Sequence, residues 1–428
     1  MSGLTVILLF FSLLFLGIPV AYSMSFVSAL YMIFSDIPLM TLIQRMANSP
    51  NSVTLLAIPA FLLAGSLMNN GGLTKSLFKA VNATPIGKLK GGLAYVNVLA
   101  SLIFSGMSGA ALADLGGLGK IEMEAMKENG YEEDDALAIT LASSAIGPIF
   151  PPSIQLLIFA MVANVSGVRI LLAGVFPGIL MAFALLLQVA YFAHKKNFPR
   201  GVITGSFKDR MFLQFKGIPA LLAPVILLAG LLLGTYSPTE LASVATVYSL
   251  CIGVFVYKGI TKHNFIDSLR TSVKDVANIL FIGAAAIAFS YVLTIEQVPL
   301  MFQNLLTSVT DNWILLIIIT NVILIIVGMF MDSFVAYLIF TPIIMPALVS
   351  VGLDPIHVGI LMCLNLVIGF YTPPFGTLLF MASIMTKIPF ARIVKAMAPY
   401  YIPLILALLA VSFFPQISLW LPNFVFNR

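Results

Sequence analysis

Residues 147–153 read GPIFPPS and interrupt an apolar run that is otherwise long enough to cross a membrane as one helix. The same kind of interruption returns in GFYTPPFG, residues 369–376. Proline has no backbone N–H, so adjacent prolines inside a helix leave carbonyl groups of the preceding turn without partners. The two stretches therefore predict two broken membrane helices. The predicted break residues are Pro148, Pro151, Pro152, Pro373 and Pro374.

The two interruptions belong to an internal repeat with an offset of 222 residues. This offset places Gly106-Met107 on Gly328-Met329 and the first Pro-Pro pair on the second, without a gap. Paired matches in one register indicate a duplication rather than a chance match of single glycines. We therefore predict two repeats, residues 54–192 and 276–414.

The composition predicts that the chain lies in a lipid bilayer. Of its 428 residues, 60% are hydrophobic and 9% are charged, and the mean hydropathy is +1.06. These values lie outside the range of water-soluble domains. Apolar runs near the length of about 20 residues that crosses the hydrocarbon core recur at 170–192, 239–257, 276–294 and 400–422. The predicted class is an all-α polytopic membrane protein.

The basic residues gather in short segments between the apolar runs. Lysines and arginines cluster in 193–217 and 258–275, whereas 295–312 and 349–356 contain none. Cytoplasmic loops carry an excess of Lys and Arg, so the first two segments are predicted to be cytoplasmic and the last two to face the other side. Membrane orientation thus accounts for the net charge of +5, and no nucleic-acid partner is predicted.

The charge pattern also orients the repeats. Segment 91–125 begins after Lys88 and Lys90 and ends beside lysines, so it is predicted to enter and leave the membrane from the cytoplasm. Its counterpart, 313–348, lies between loops without basic residues and is predicted to be a hairpin from outside. The repeats are then inverted, with two re-entrant helical hairpins and two broken transmembrane helices.

These predictions divide the chain into scaffold helices at 1–53, the two repeats, a cytoplasmic loop with scaffold helices at 193–275, and the end of the last helix with a tail at 415–428. Repeat symmetry favours two short N-terminal helices that turn at Gly17-Ile18-Pro19, with a periplasmic N-terminus. Each repeat begins with an arm helix. The remaining parts are the inward hairpin 91–125, the broken helix 136–165, the following helix 170–192, the outward hairpin 313–348, the broken helix 356–386 and a last helix that begins at 400.

The hairpin tips and helix breaks together predict an ion and substrate site at mid-membrane. The tips, in FSGMSGAALAD (104–114) and VGMFMDSFVA (327–336), contain glycines that permit tight turns and close approach. Carbonyls that end a half-helix suit a small cation such as sodium, and the N–H groups of the opposite half-helix suit an anion. Asp332 is an acid inside an apolar hairpin, so we expect it to bind the cation or to hold the tip.

Other polar residues near the breaks allow two interpretations. Small hydroxyls such as those of Ser143 and Thr372 serve either helix packing or function. Asp114, nearer the aqueous end of its hairpin, is either a helix cap or functional. The four acids at 132–135, EEDD, begin a helix and are expected to serve its dipole. The residues predicted to contact the substrate are Ser144, Pro152, Ser153 and Thr377.

Motifs for metal, redox and nucleotide chemistry do not occur in the sequence, which has no HExxH, CxxC or GxxxxGK[ST]. It shows no nucleophile-and-base pair either, so an intramembrane enzyme is disfavoured. No cofactor is predicted, and sodium enters only as a coupling ion. A channel is also disfavoured, because two closed hairpins suit alternating access better than a continuous pore.

Longer motifs resemble a known family, the large membrane subunit of tripartite ATP-independent periplasmic (TRAP) transporters. The similar segments are LLAIPAFLLAGSLMNNGGL (55–73), GPIFPPSI (147–154), GMFMDSFVAYLIFTPIIMP (328–346), GLDPIHVGI (352–360) and NLVIGFYTPPFG (365–376). The resemblance covers nearly the whole chain. It implies an elevator-type transporter of the bacterial inner membrane that takes up a small organic acid anion with sodium.

The resemblance also implies partners and ion sites. A periplasmic binding protein would deliver the substrate, and a separate small four-helix membrane subunit would brace this one. Sodium site 1 would comprise Ser105, Ser108, Gly147 and Phe150, and sodium site 2 would comprise Gly328, Gly369, Thr372 and Phe375, joined by the charged Asp332.

The substrate stays open. The first tip, SGMSGAALAD, departs from the Ser-Gly-Ser type of tip found in many relatives, so a carboxylate and a sulfonate both fit. The alternative function is a carrier for dicarboxylates or other anions that is coupled to sodium or protons and needs no binding protein.

Overall fold

A computed structural model describes residues 2–48, 53–201, 207–309 and 312–426. These residues form helices joined by short turns, which confirms the predicted all-α class. Within them, seven helices are long and apolar enough to cross a membrane. The bent pair Leu56–Asn70 and Leu73–Asn82 raises that number to eight if it forms one span. The chain is a multi-pass membrane protein whose remaining apolar helices are shortened by interruptions.

The N-terminal region forms two separate helices, as the repeat symmetry favoured. They are α1 (Gly3–Phe15) and α2 (Val20–Phe34), and a shorter helix, α3 (Met40–Asn48), follows. Gly17 turns the chain between α1 and α2 with a φ of +81°, a conformation that a residue with a Cβ rarely adopts. The periplasmic position of the N-terminus stays a prediction.

The first repeat consists of α4 (Val53–Asn70), α5 (Leu73–Asn82), α6 (Gly92–Ser108), α7 (Ala111–Ala113), the π-helix Asp114–Gly119, α8 (Lys120–Glu128), α9 (Glu133–Ser144), α10 (Ile154–Val162), α11 (Gly167–Ala173) and α12 (Val175–Lys195). The hairpin turns at Gly109 between α6 and α7 and returns through the π-helix into α8. The broken helix stops with α9 and resumes with α10, so the first Pro-Pro stretch forms the interruption.

The second repeat follows the scaffold helices α13 (Phe207–Leu233) and α14 (Pro238–Cys251). It consists of α15 (Lys262–Ile295), α16 (Val298–Val309), α17 (Trp313–Phe330), α18 (Ser333–Ser350), α19 (Pro355–Phe370), α20 (Thr377–Thr386), α21 (Phe390–Met397) and α22 (Tyr401–Phe413). The hairpin α17–α18 turns at Met331 and Asp332, and the break lies between α19 and α20. The last residues of α17 and α18, Phe330 and Ser350, lie 222 residues beyond the last residues of α6 and α8, at the offset of the repeat.

The C-terminal end differs from the sequence-based expectation in two respects. The last span begins before residue 400, because α21, a 3-10 turn at Ala398–Tyr400 and α22 form one continuous apolar helix from Phe390 to Phe413. This helix ends before Pro415, which disfavours helical geometry at Phe414. A separate helix, α23 (Gln416–Phe426), then occupies most of the region expected to end the last helix.

The packing of the helices covers the first break completely and the second break in part. The helices α14 and α15 each pack on α4, α13 packs on α14, and α2 lies against α15; we refer to α2, α4, α13, α14 and α15 as the scaffold. Each hairpin packs on the broken helix of its own repeat, α6 on α9 and α17 on α19, while α12 packs on α22 between the repeats. The interrupted backbone of the first break is therefore covered by protein rather than by lipid, where unpaired backbone groups are costly.

Candidate functional site

The first hairpin tip lies directly against the first break. A Cβ added to Gly109 would lie 2.0 Å from the carbonyl oxygen of Pro152, and Gly109 has a φ of +63°. Gly147 faces Ala110, whose carbonyl carbon would lie 3.3 Å from a Cβ on Gly147. Glycine alone combines the left-handed turn with such a close approach. The tip and the break thus form one continuous contact.

The serines of predicted sodium site 1 differ in their hydrogen bonding. The Ser105 hydroxyl donates to the Ser101 carbonyl at 2.6 Å, and its own carbonyl accepts the Gly109 N–H at 3.2 Å. The Ser108 side chain is 4% exposed, and its hydroxyl has no hydrogen-bond partner within the described residues. A buried polar oxygen without a partner costs free energy and requires an explanation. Coordination of a cation by the Ser108 hydroxyl would be such an explanation.

The remaining groups of the first break are tightly packed. Phe150 lies against Gly106, where an added Cβ would be 3.4 Å from the ring, and against Gly178. The carbonyl of Pro148 accepts the Ser153 hydroxyl and the Cys363 thiol, the latter at 3.2 Å. The break leaves this carbonyl without a helical hydrogen bond, but it accepts hydrogen bonds from these two side chains instead.

The second tip and the second break meet through glycines. A Cβ added to Gly369 would lie 2.6 Å from the Cα of Gly328. The Gly376 N–H, beyond the break, donates to the Met329 carbonyl at 3.3 Å. The rings of Phe330 and Phe375 pack with their centroids 5.4 Å apart. Both repeats thus join a hairpin tip to a break.

Asp332 caps the second arm of its hairpin. Its carboxylate accepts the Phe334 N–H at 2.9 Å, which satisfies one of the N–H groups left unpaired at the start of α18. The side chain is exposed and lines a cavity of about 640 Å³ together with Phe375 and the turn between α1 and α2. Of the two roles expected for Asp332, holding the tip is observed, and cation binding stays a prediction.

The two breaks differ in exposure. Residues 147–153 are all buried, whereas Pro374 and Phe375 are exposed, Phe375 by 52%. The Thr372 hydroxyl is half-buried and donates to the Ile368 carbonyl at 2.7 Å. Only the second break therefore borders open space in this state.

The broken helices of the two repeats also contact each other. The Ser144 hydroxyl, at the end of α9, lies 2.9 Å from the hydroxyl of Tyr371 in the second break. The carbonyl of Tyr371 accepts the Tyr401 hydroxyl at 2.6 Å. Tyr371 was missed in the sequence analysis, although its place directly before Thr372-Pro373-Pro374 was a signal for it.

The residues predicted to contact substrate have structural partners. Besides its bond to Tyr371, the Ser144 hydroxyl donates to the Leu141 carbonyl at 2.9 Å. Ser153 caps α10 by accepting the Leu156 N–H at 3.1 Å, and Pro152 is covered by the first tip. Thr377 is half-buried and begins α20, so it follows the second break rather than the first. Their role in substrate binding stays a prediction.

The acidic run at 132–135 begins a helix as expected, with three acids in the first turn of α9. These acids also form ion pairs that connect α9 to other segments. The pairs are Glu133 with Lys127, Asp134 with Arg392 and Asp135 with Lys196. The run therefore joins the ends of several elements in addition to serving the helix dipole.

The sequence of this chain matches a known family. Residues 7–417 match the family described as "Tripartite ATP-independent periplasmic transporter, DctM component". The chain belongs to this family. The resemblance to TRAP permeases seen in the sequence is thus confirmed, and the family is one of transporters rather than enzymes.

Individual TRAP permeases resemble this one over nearly their full length. The sialic acid TRAP transporter large permease protein SiaM of Vibrio cholerae is 38% identical over 416 residues, which cover 96% of each chain. The C4-dicarboxylate TRAP transporter large permease protein DctM of Pseudomonas aeruginosa is 34% identical over 395 residues, 92% of each chain. Among solved structures, the YdaH transporter of Alcanivorax borkumensis has a TM-score of 0.62 at 18% identity, over 89% of this chain and 87% of that one, which shows a shared fold.

Proposed function

We propose that this TRAP permease carries out sodium-coupled uptake of a small organic acid anion across the bacterial inner membrane by an elevator mechanism. Relatives named for sialic acid and for C4-dicarboxylates support an organic acid as the class of substrate. A carboxylate and a sulfonate are both compatible with the predicted sites. Half-helix N-termini and bound cations can attract either anion, so its binding does not require a buried Lys or Arg.

The observation that carries the proposal is the twofold contact between a hairpin tip and a broken helix. Gly109 against Pro152 and Gly328 against Gly369 bring interrupted backbones together without intervening side chains. Carbonyl oxygens gathered at such interruptions suit a coupling cation. In site 1 the ligands would be the Ser108 hydroxyl with carbonyls of Ser105, Gly147 and Phe150, since a carbonyl that accepts one hydrogen bond retains a second lone pair.

Sodium site 2 would use carbonyls of Gly328, Gly369 and Phe375 with the hydroxyl of Thr372. The charge of Asp332 beside the open cavity would favour a cation there. The anion would then bind between the two sodium sites, near Ser144, Pro152, Ser153 and Thr377. A cation beside the substrate carboxylate or sulfonate lowers the cost of holding that charge away from water.

The elevator motion would move the hairpins and broken helices as one body against the scaffold. The packing of α6 on α9 and of α17 on α19, together with the link between Ser144 and Tyr371, supports a single moving unit. The family description as a tripartite, periplasmic system supports two partners, a periplasmic binding protein and a separate small four-helix membrane subunit.

The test is uptake into proteoliposomes that contain this permease and its small subunit. Labelled N-acetylneuraminate, succinate and a short sulfonate serve as probes, with the binding protein added outside. We expect uptake of one probe class under an inward sodium gradient and none when potassium replaces sodium. Equal uptake in potassium would contradict sodium coupling. Full uptake without the binding protein would favour the independent anion carrier instead.

A further inference from the structure

Two acidic side chains in the first hairpin are buried without partners. Asp114 is 1% exposed and Glu122 is 0% exposed. None of their four carboxylate oxygens accepts a hydrogen bond within the described residues, and neither residue forms an ion pair there. An ionised carboxylate without a partner is among the most costly groups to bury. Asp114 stands at the C-cap position of α7, but its carboxylate makes no capping hydrogen bond within the described residues.

The two carboxyl groups belong to one local unit. Asp114 begins the π-helix, Glu122 follows on α8, and their charges repel each other. Single π-helical turns are rare and occur often at functional sites. Two like charges in one dry environment cannot both be ionised at an acceptable cost, so at least one of the two must be neutral.

The groups that face the pair from neighbouring elements are polar but do not neutralise it. Ser101 of α6 lies beside Asp114, yet its hydroxyl donates to Ser143 of α9 at 3.1 Å. Asn97 donates to Thr140 and accepts from Ser143, so these side chains are occupied with each other. Tyr371 of the second break lies near Asp114, and its hydroxyl pairs with that of Ser144.

The charged residues on adjacent elements are directed elsewhere. Apart from Glu122 itself, the charged residues on α5 and α8 are exposed: Lys75, Lys79, Lys120, Glu124, Lys127 and Glu128. Those at the start of α9 take part in the ion pairs with Lys127, Arg392 and Lys196. Within the described residues no group of three or more His, Cys, Asp or Glu side chains could hold a metal ion. Protonation of one carboxyl group would remove the cost of burying two like charges in this environment.

We propose that Asp114 and Glu122 form a proton-binding site in the first hairpin, which holds at least one proton in the state seen here and exchanges it with the cytoplasm. On release the carboxylic O–H bond breaks, the proton passes to water and a carboxylate remains. This site is distinct from the proposed sodium sites, and it stands whether or not transport is coupled to sodium.

A polar cavity beside the π-helix gives the proton a route. The cavity has a volume of about 470 Å³, is lined by Asn69, Asn70, Thr74 and Lys75, and borders the first hairpin, which is predicted to enter and leave the membrane from the cytoplasm. Gly117 brings the π-helix to the edge of the cavity, because a Cβ at that position would lie 2.6 Å from the Asn69 side chain. A small displacement of the hairpin would connect the carboxyl pair to this water-accessible space.

Isosteric neutral variants test the proposal. Infrared spectra of the purified wild-type protein at neutral pH should show the carbonyl band of a protonated carboxylic acid. Asp114→Asn with Glu122→Gln should remove that band, whereas Glu124→Gln, an exposed neighbour on α8, should leave it unchanged. An identical band in the double variant would overturn the proposal. The single variants serve the same comparison if the double variant does not fold.

Thermal stability supplies an independent readout. A proton held by the folded state and released by the unfolded chain makes stability fall as pH rises, with a slope equivalent to about one proton. The wild type and Glu124→Gln should show this slope at neutral to alkaline pH, and the double variant should lack it and melt higher at alkaline pH. The same slope in all three proteins would contradict the assignment.

Discussion

Gly369 and Gly328 approach each other so closely that a Cβ on Gly369 would lie 2.6 Å from the Cα of Gly328, closer than the 3.0 Å limit of real Cβ contacts. The obstructing atoms belong to the backbone, so no side-chain rotation relieves the contact. The second hairpin and the second broken helix are thus held together by two positions without side chains.

Replacing Gly369 by alanine should separate these two elements. Overpacking of this kind costs about 1–3 kcal/mol, and we expect lower thermal stability together with a loss of most sodium-dependent uptake, because the carbonyls of sodium site 2 would move apart. Uptake and melting temperature are measured in the same preparations. Val322→Ala, on the exposed side of α17, is the control and should leave both unchanged. Full uptake by Gly369→Ala would show that the glycine contact is dispensable.

Ser108→Ala removes the unpartnered hydroxyl of site 1. Loss of an unsatisfied polar group costs little stability in the absence of ligand. We expect an unchanged melting temperature without sodium and a smaller sodium-induced increase, with sodium affinity reduced several-fold.

The matched control for Ser108 is Ser28→Ala. The Ser28 hydroxyl is buried and donates to the Met24 carbonyl at 2.7 Å, away from either break. Its replacement should leave the response to sodium unchanged. If Ser108→Ala responds to sodium as the wild type does, the Ser108 hydroxyl is not a ligand.

Asp332→Asn separates charge from capping. Asparagine caps helices about as well as aspartate, so the start of α18 should stay intact while the negative charge beside the cavity is lost. We expect a decrease in uptake of about tenfold or more, as for the loss of a charged ligand contact of about 1.4 kcal/mol or more, with normal membrane insertion. Asp354→Asn is the control, since Asp354 caps α19 in the same way, accepting the Ile356 N–H at 2.7 Å. Wild-type uptake by Asp332→Asn would leave the residue with only its capping role.

Asp135→Asn should weaken the start of α9, the first half of the first broken helix. Asp135 is 6% exposed and pairs with Lys196 beyond α12, so its loss should lower the free energy of unfolding by about 1 kcal/mol. The exposed Glu132→Gln is the comparison, because Glu132 makes no side-chain cap hydrogen bond. Thermal melts at low and high salt measure the effect, and equal stability of both variants would show that the ion pair contributes nothing.

Local chemistry made the breaks and the hairpins predictable. A Pro-Pro pair removes consecutive N–H groups and ended both helices, whereas the lone prolines Pro59, Pro219 and Pro224 lie within continuous helices. A single missing hydrogen bond can be tolerated inside a membrane bundle. Glycine at the tips and a constant offset then placed the two hairpins without reference to the rest of the chain.

Contacts between distant residues were beyond the reach of the sequence. Nothing in the sequence beside Ser144 indicates that its partner is Tyr371, and nothing beside Asp114 indicates that its carboxylate is sealed from solvent. Likewise, Ser153 reads equally well as a substrate ligand and as the cap of α10. Such roles depend on which faces meet after folding, and the residue types alone leave that choice open.

Cys363 offers a native reporter of how the protein moves. Its thiol is enclosed between the two broken helices, bonded to the Pro148 carbonyl, while Cys251 is exposed. In a Cys251→Ser background, the rate at which Cys363 is alkylated would measure how often these two helices separate. If the hairpins and broken helices move as one rigid body, the Cys363 thiol stays inaccessible to the alkylating reagent throughout turnover. If the two broken helices separate during transport, the thiol becomes alkylated.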